Sequence, residues 1–221
     1  MKFTIKKTTE QTLIDNKILE LSKISGLYEF TIANCFLAGG AVRDIVRQKI
    51  PKDWDIFFKT DAAKDEFLAK FSGKMELTGF GNYNWKMFQF ITMETGTPQK
   101  VTDTFDWNVN QVYYDFASSR FGGQTQDTMM HLMLNTKAKT PLSAIMRLPY
   151  FIEKGFKIDQ KELLFCLTFI SIAVNLTSHE AVSNQKNFTS GNGGEVGGIE
   201  GVIERAKKAA LEQSPLCKAL L

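Results

Sequence analysis

Cysteine and histidine are scarce in this chain of 221 residues, which has three of the first and two of the second. Cys35, Cys166 and Cys217 lie far apart, at no metal-ligand spacing. A zinc centre is therefore not expected, and the cysteines read as free thiols of a reducing compartment. His131 and His179 fall in no ligand cluster and offer no obvious catalytic base. A strong charge of one sign is also missing: 27 Lys and Arg against 24 Asp and Glu leave a net +3. That balance does not by itself announce a nucleic-acid partner. No apolar run is long enough to cross a bilayer, and the longest, LLFCLTFISIAV from Leu163, suits a buried helix. The opening MKFTIKKTTEQ has no apolar signal core. A cytoplasmic protein with no membrane partner is expected. SGNGGEVGG has the glycines of a phosphate loop without the following Gly-Lys-Ser/Thr, and reads as a flexible linker.

What is present suits a globular chain with a real core, filled in large part by 18 phenylalanines. Apolar spacing predicts a helix over Thr9–Ser25, ended by Gly26. NCFLAGG reads as a short buried strand breaking into a glycine turn, and AVRDIVRQK as a helix that Pro51 stops. DWDIFF alternates as a strand. Thr60 caps a helix over DAAKDEFLAKF. MELTGF and WKMFQFITM read as paired strands joined by GNYN, GTPQK as a loop, and WNVNQVYYDF as a helix with Asp106 at its N-cap. Beyond about Asn135 everything reads as helical. Pro141 starts one helix that ends at Gly155, Asp159 and Glu162 start the next, a glycine-rich loop spans about 188–201, and a last helix covers about Ile199–Gln213. The division expected is a mixed head over 1–135 and a helical domain over 136–221.

GGAVRDIVRQKIPKDWD, from Gly39 to Asp55, concentrates the chemistry. Gly39 and Gly40 remove side chains where a strand becomes a helix, so that backbone N–H groups can approach an anion closely. Arg43, in the first helical turn, can fork onto phosphate oxygens. Asp53 and Asp55 lie two apart, on one face of a strand, and such carboxylates repel unless a cation sits between them. Oxygen ligands of this kind suit Mg²⁺, with Mn²⁺ as the alternative. A triphosphate cradle followed by a metal-binding pair is equipment for phosphoryl or nucleotidyl transfer. Exposed Asp-x-Asp pairs and Gly-Gly turns are common singly; it is their order and spacing that favour the functional reading.

LAGGAVRDIVRQKIPKDWDIFF resembles the signature of the polymerase-beta-like nucleotidyltransferases, in the branch of tRNA CCA-adding enzymes and bacterial poly(A) polymerases. That signature is G-G-x-V-R-D, a short helix, and D-x-D followed by apolar residues. FDWNVNQVYYD is similar to the family's R-R-D-F-T-I-N-A-L, with Asp106 and Asn110 on the motif's Asp and Asn. SAIMRLPYFIEKGFKI is similar to the start of the family's helical neck, with Arg147 retained. The resemblance covers about residues 10–160 and implies an α+β fold: a nucleotidyltransferase head of mixed sheet and flanking helices, followed by a small all-helical domain. It implies NMP transfer from an NTP to a hydroxyl, with an RNA 3′ end, tRNA included, as the acceptor. Asp53 and Asp55 would be the catalytic metal ligands, Gly39, Gly40 and Arg43 would hold the triphosphate, and Asp106 and Asn110 would contact the sugar. The chain also departs from the family pattern. Thr104 and Phe105 stand where the motif has two arginines, Gln89 stands at or near the place of a third acidic ligand, and no E-D-x-x-R follows. Strict CCA addition is therefore not expected. A protein or small-molecule hydroxyl as acceptor, and a non-catalytic nucleotide- or RNA-binding module, stay open as rivals. Glu94 and Asp103 are the alternative third ligands.

Overall fold

The computed structural model describes residues 8–123, 130–135 and 141–170. The chain divides into two compact units, Met1–Met129 and Met130–Leu221. In the first, α1 (Thr9–Ile18) starts on a reciprocal cap: the Thr8 hydroxyl accepts from the Gln11 N–H, and the Gln11 carbonyl accepts from the Thr8 N–H. The expected helix does not run on to Ser25. It tightens into a 3₁₀ segment over Leu19–Lys23, and Gly26 at φ +78° starts α2 (Leu27–Asn34) instead of ending α1. β1 (Cys35–Ala38), α3 (Gly40–Val46), β2 (Trp54–Phe58) and α4 (Asp61–Phe71) follow, and the Thr60 hydroxyl caps α4 as expected. The expected strand pair is a three-strand meander of β3 (Glu76–Leu77), β4 (Tyr83–Trp85) and β5 (Phe88–Thr95). Tyr83 and Asn84, read as turn residues, belong to its middle strand.

Two expectations fail further along. GTPQK is not a loop: Thr97 caps the N–H of Lys100, and Pro98 sits in the first turn of α5 (Pro98–Thr102), where its missing N–H costs nothing. WNVNQVYYDF is not a helix. A 3₁₀ turn over Asn108–Asn110 leads into β6 (Val112–Asp115), which pairs with β7 (Arg120–Gly123). Asp106 caps no helix; it accepts from the N–H of Trp107. The β-branched and aromatic run Val-Tyr-Tyr decided the outcome, because it can bury alternate side chains on the two faces of a sheet.

The sheet order is β3-β4-β5-β2-β1-β6-β7. Its one parallel pair is β2 with β5, and its other pairs are antiparallel. One face carries the main core, with Phe67 of α4 at 4.9 Å from the Phe58 ring and 4.6 Å from the Phe90 ring. Cys35 is a free thiol in this core, and burial pushes its pKa up. The other face carries a smaller cluster of Phe36, Ala38, Phe57 and Val101, with Ile91, Phe105 and Tyr113 packed against it. That second face holds the candidate site.

In the second unit, His131 and Lys157 form a parallel bridge, and Glu162 accepts from the Leu134 N–H at 2.7 Å. The expected helix from Pro141 to Gly155 is two short ones, α6 (Pro141–Met146) and α7 (Leu148–Glu153), broken at Arg147 before Pro149. Residues 160–170 form α8, whose first turn is capped by Asp159 accepting from the Glu162 N–H. Leu163, Leu164 and Leu167 of α8 are exposed, so this end of the apolar run is not fully buried. No described helix is long and apolar enough to cross a membrane. The glycine-rich stretch at 188–201 and the helix expected over 199–213 lie outside the described residues.

Candidate active site

β1 ends at Ala38 because Gly39 adopts φ +75°, ψ −134°, which a side chain would strain. The Gly39 N–H donates to Val112 O of β6 at 2.9 Å, and its carbonyl accepts from the Arg43 N–H at 3.0 Å. The turn is thus pinned on both sides. A Cβ on Gly39 would meet the Phe105 ring at 3.3 Å, so the glycine also makes room for that ring.

Beneath the turn lies a buried polar network built from two distant motifs. Arg43 donates from Nε and Nη2 to Asp44 Oδ1, each at 2.7 Å, and from Nη1 to Asn110 Oδ1 at 2.7 Å. Asn110 Nδ2 donates in turn to Asp106 Oδ1 at 3.4 Å. All four residues are buried. Arg43, expected to face the triphosphate, is 3 % exposed and has much of its fork turned inward on protein oxygens. Its carboxylate and amide partners compensate the buried charge, and the network locks α3 to the segment before β6.

Asp53 and Asp55 flank Trp54, whose ring is buried against Phe88 at 5.9 Å in the main core. Alternation turns Asp55 to the opposite face, with Phe57 two residues on. Asp53 is exposed and lies just before the strand, while Asp55 is half-buried. Burial first, and the Asp53 charge second, push the Asp55 carboxyl up to about 6. Such a carboxyl keeps its proton to a higher pH than an ordinary one, and a cation beside it would favour the ionised form. Two carboxylates on an open face fit Mg²⁺, which keeps several waters and shares substrate phosphate oxygens. Among the described residues no group of three or more His, Cys, Asp or Glu converges on one point.

Gln89 pairs in register with Asp55 across β2 and β5, so the two side chains are neighbours on one face. Glu94 lies further along β5, where the register shifts, and accepts from the Thr104 hydroxyl at 3.2 Å. Asp103 accepts from Gln99 on α5 at 2.6 Å. Phe105 packs on Phe57 at 5.6 Å, and Phe57 stacks on Phe36 at 5.6 Å. The two positions that carry arginine in the resembled motif thus hold a hydroxyl bound to a carboxylate and a ring in an aromatic wall. Sequence reading missed this wall and its end, where the Tyr113 ring lies over Gly122: a Cβ on Gly122 would come within 2.3 Å of that ring. The signal was the alternation in Val-Tyr-Tyr-Asp, which puts Tyr113 on this face and Tyr114, fully buried, in the main core.

Residues 2–135 match the family model described as Gabija anti-defense 2 family protein, Gad2. Among solved structures, a Bacillus stearothermophilus CCA-adding enzyme in complex with CTP is similar at 14% identity and a TM-score of 0.54, covering 78% of this chain and 46% of that one. A Thermotoga maritima CCA-adding enzyme complexed with tRNA is similar at 14% identity and a TM-score of 0.51, covering 100% of this chain and 53% of that one. The chain thus spans about half the length of these two enzymes. The likeness establishes the nucleotidyltransferase fold, a head of mixed sheet and helices with a helical region. No curated protein matches in sequence.

Proposed function

This chain belongs to the Gabija anti-defense 2 family, and we propose that it is a metal-dependent nucleotidyltransferase moving a nucleoside monophosphate from an NTP to a hydroxyl, with release of pyrophosphate. The head would comprise residues 1–135 and a helical domain residues 136–221. The observation that carries the reading is the raised Asp55 carboxyl beside Asp53, on the strand next to the glycine turn of β1. A plain binding module has little reason to keep two repelling carboxylates side by side. A divalent cation bound there would neutralise the polyphosphate and lower the pKa of the attacking hydroxyl. Asp53 and Asp55 would hold Mg²⁺ or Mn²⁺. Gly40 would admit the triphosphate to the backbone, Gly39, whose N–H is taken by Val112 O, would shape the turn that receives it, and Arg43 would act mainly by holding that turn rigid. Asp106 and Asn110 would set the nucleotide sugar while bracing Arg43.

An RNA 3′ end is the acceptor that the sequence resemblance suggests, and the name of the solved Thermotoga maritima complex includes a tRNA. A protein hydroxyl is the rival acceptor class. The transfer reading is tested by incubating the chain with each α-labelled NTP, Mg²⁺ or Mn²⁺, and total RNA or protein acceptors. Covalent label and stoichiometric pyrophosphate are expected, and both should vanish in Asp53→Ala and Asp55→Ala. Turnover like the parent's in either variant would sink the reading.

A further inference from the structure

On the side of Asp55 away from the glycine turn, the sheet carries a row of polar side chains that the transfer reading leaves unused. Gln89 pairs with Asp55, Asn84 with Gln89, and Glu76 with Asn84. Residues paired in register point to the same face. The row therefore runs from the catalytic carboxylate across β5 and β4 to β3 at the sheet edge. It opens outward: Gln89 and Asn84 are half-buried and Glu76 is exposed. No protein group hydrogen-bonds to the buried Oδ1 of Asn84, nor to the buried Oγ1 of Thr78 just past β3.

Strand order says which ligand meets the row. The triphosphate turn ends β1, and β1 and β5 flank β2 on opposite sides. Displacement at the α-phosphorus runs in line, with the entering oxygen opposite the departing pyrophosphate. If pyrophosphate leaves on the β1 side, the hydroxyl enters over β5 and β4. The chemistry of that strip is acidic and apolar. From Met75 to Thr95 it carries Glu76 and Glu94, and its one basic residue is Lys86. The Lys86 ammonium lies 3.7 Å from Glu20 and 4.7 Å from the Trp85 ring centre. Phe80, in the turn between β3 and β4, and Met93, further along β5, are exposed. An RNA strand would bring a phosphate for each nucleotide to a strip whose single cation is engaged elsewhere, with Asp53 and Asp55 at its end. A basic polypeptide would meet complementary charge, carboxamides able to pair with its backbone, and apolar contacts.

We propose that the acceptor is the side-chain hydroxyl of a Ser, Thr or Tyr in a basic polypeptide segment, held by Gln89, Asn84 and Glu76. This rests on the transfer reading. The hydroxyl oxygen forms a bond to the α-phosphorus of the NTP, and the bond from that phosphorus to the α–β bridging oxygen breaks. Its electron pair leaves with pyrophosphate, and the hydroxyl proton passes to water. The product is a phosphodiester between protein and nucleoside.

The test uses the full chain, α-labelled NTPs and Mg²⁺ or Mn²⁺. The acceptors are synthetic peptides with one Ser, Thr or Tyr in Lys/Arg-rich, neutral or Asp/Glu-rich flanks, and total RNA in parallel. Basic peptides should be labelled about tenfold more efficiently than acidic ones, and RNA should stay unlabelled. Glu76→Lys should raise the KM for basic peptides on the order of fivefold and lower it for acidic ones, with the KM for NTP held. A misfolded variant would not reverse a preference in this way. Label on RNA, equal use of all peptides, or an unchanged preference in Glu76→Lys would overturn the acceptor class and leave nucleotidyl transfer standing. Absence of pyrophosphate release with every acceptor would overturn both.

Discussion

Replacing Asp55 by Asn should make the metal-free protein more stable and dead. The Asp55 carboxyl titrates at about 6 in the fold against an ordinary 3.8, chiefly because it is buried and partly because Asp53 faces it. Between roughly pH 4 and 6 the folded chain keeps a proton that the unfolded chain has lost, so this group's contribution to stability falls as pH rises through that window. Above about 6 the loss is complete. A shift of about two units corresponds to about 3 kcal/mol. Half-burial and side-chain relaxation reduce what an experiment would read to about 2 kcal/mol, or roughly 4–8 °C in Tm for a chain of this size. Urea and thermal unfolding in a chelator are the assays. Asp55→Asn should exceed the parent by that amount at pH 7.5 and match it near pH 4. Millimolar Mg²⁺ or Mn²⁺ should then stabilise the parent at pH 7.5 and leave the variant unmoved. An Asn variant no more stable than the parent at pH 7.5, or a gap equal at both pH values, would refute the account of why this carboxyl is perturbed.

Three other outcomes follow from the same geometry. Gln89→Glu adds a carboxylate beside Asp55, and should lower metal-free stability at pH 7.5 by about 1 kcal/mol while reducing the Mg²⁺ needed for half-maximal turnover; activity lost at every Mg²⁺ concentration would move the third ligand to Glu94 or Asp103. Asn110→Ala takes away one acceptor of a buried guanidinium and should cost about 1.5–3 kcal/mol of stability in urea, with the NTP KM rising as the glycine turn loosens. Gly122→Ala brings a Cβ within 2.3 Å of the Tyr113 ring and should destabilise by about 1–3 kcal/mol, read as a drop in Tm that is much smaller when the same substitution is made in a Tyr113→Ala background.

Much of the head was legible because its signals are local. The strand into a glycine turn at Ala38–Gly39, the Thr60 cap and the strand over DWDIFF each follow from residues a few positions apart. The errors arose where local preference and tertiary demand differ. Asn108 and Asn110 read as helix, but Asn110 is held by Arg43 and Tyr114 by the main core, and both need a strand after the turn. In GTPQK the glycine and proline outweighed the Thr97 cap, although Thr-Pro is also a helix start. At the site, the type and order of Gly39, Gly40, Asp53 and Asp55 were visible in the sequence. What Arg43 touches was not, because its partner Asn110 lies far along the chain and only the pairing of β6 with β1 brings it near. The aromatic wall through Phe105 was hidden for the same reason.

The single parallel pair in the sheet bears on when the site comes into being. Asp55 and Gln89 are neighbours only across β2 and β5, and parallel strands need a long crossover, here filled by α4, β3 and β4. The antiparallel β1–β2 pair closes over the α3 connection, which is shorter than that crossover, so it can form earlier. The acceptor side forms after the crossover has docked, because contacts of large sequence separation wait on loop closure. A cation held at Asp53 and Asp55, as proposed, would meet its site only on the finished sheet and so would act after the folding barrier. Such a cation would slow unfolding and leave the folding rate unchanged, so metal would set how long the folded head lasts, and chain topology how fast it appears.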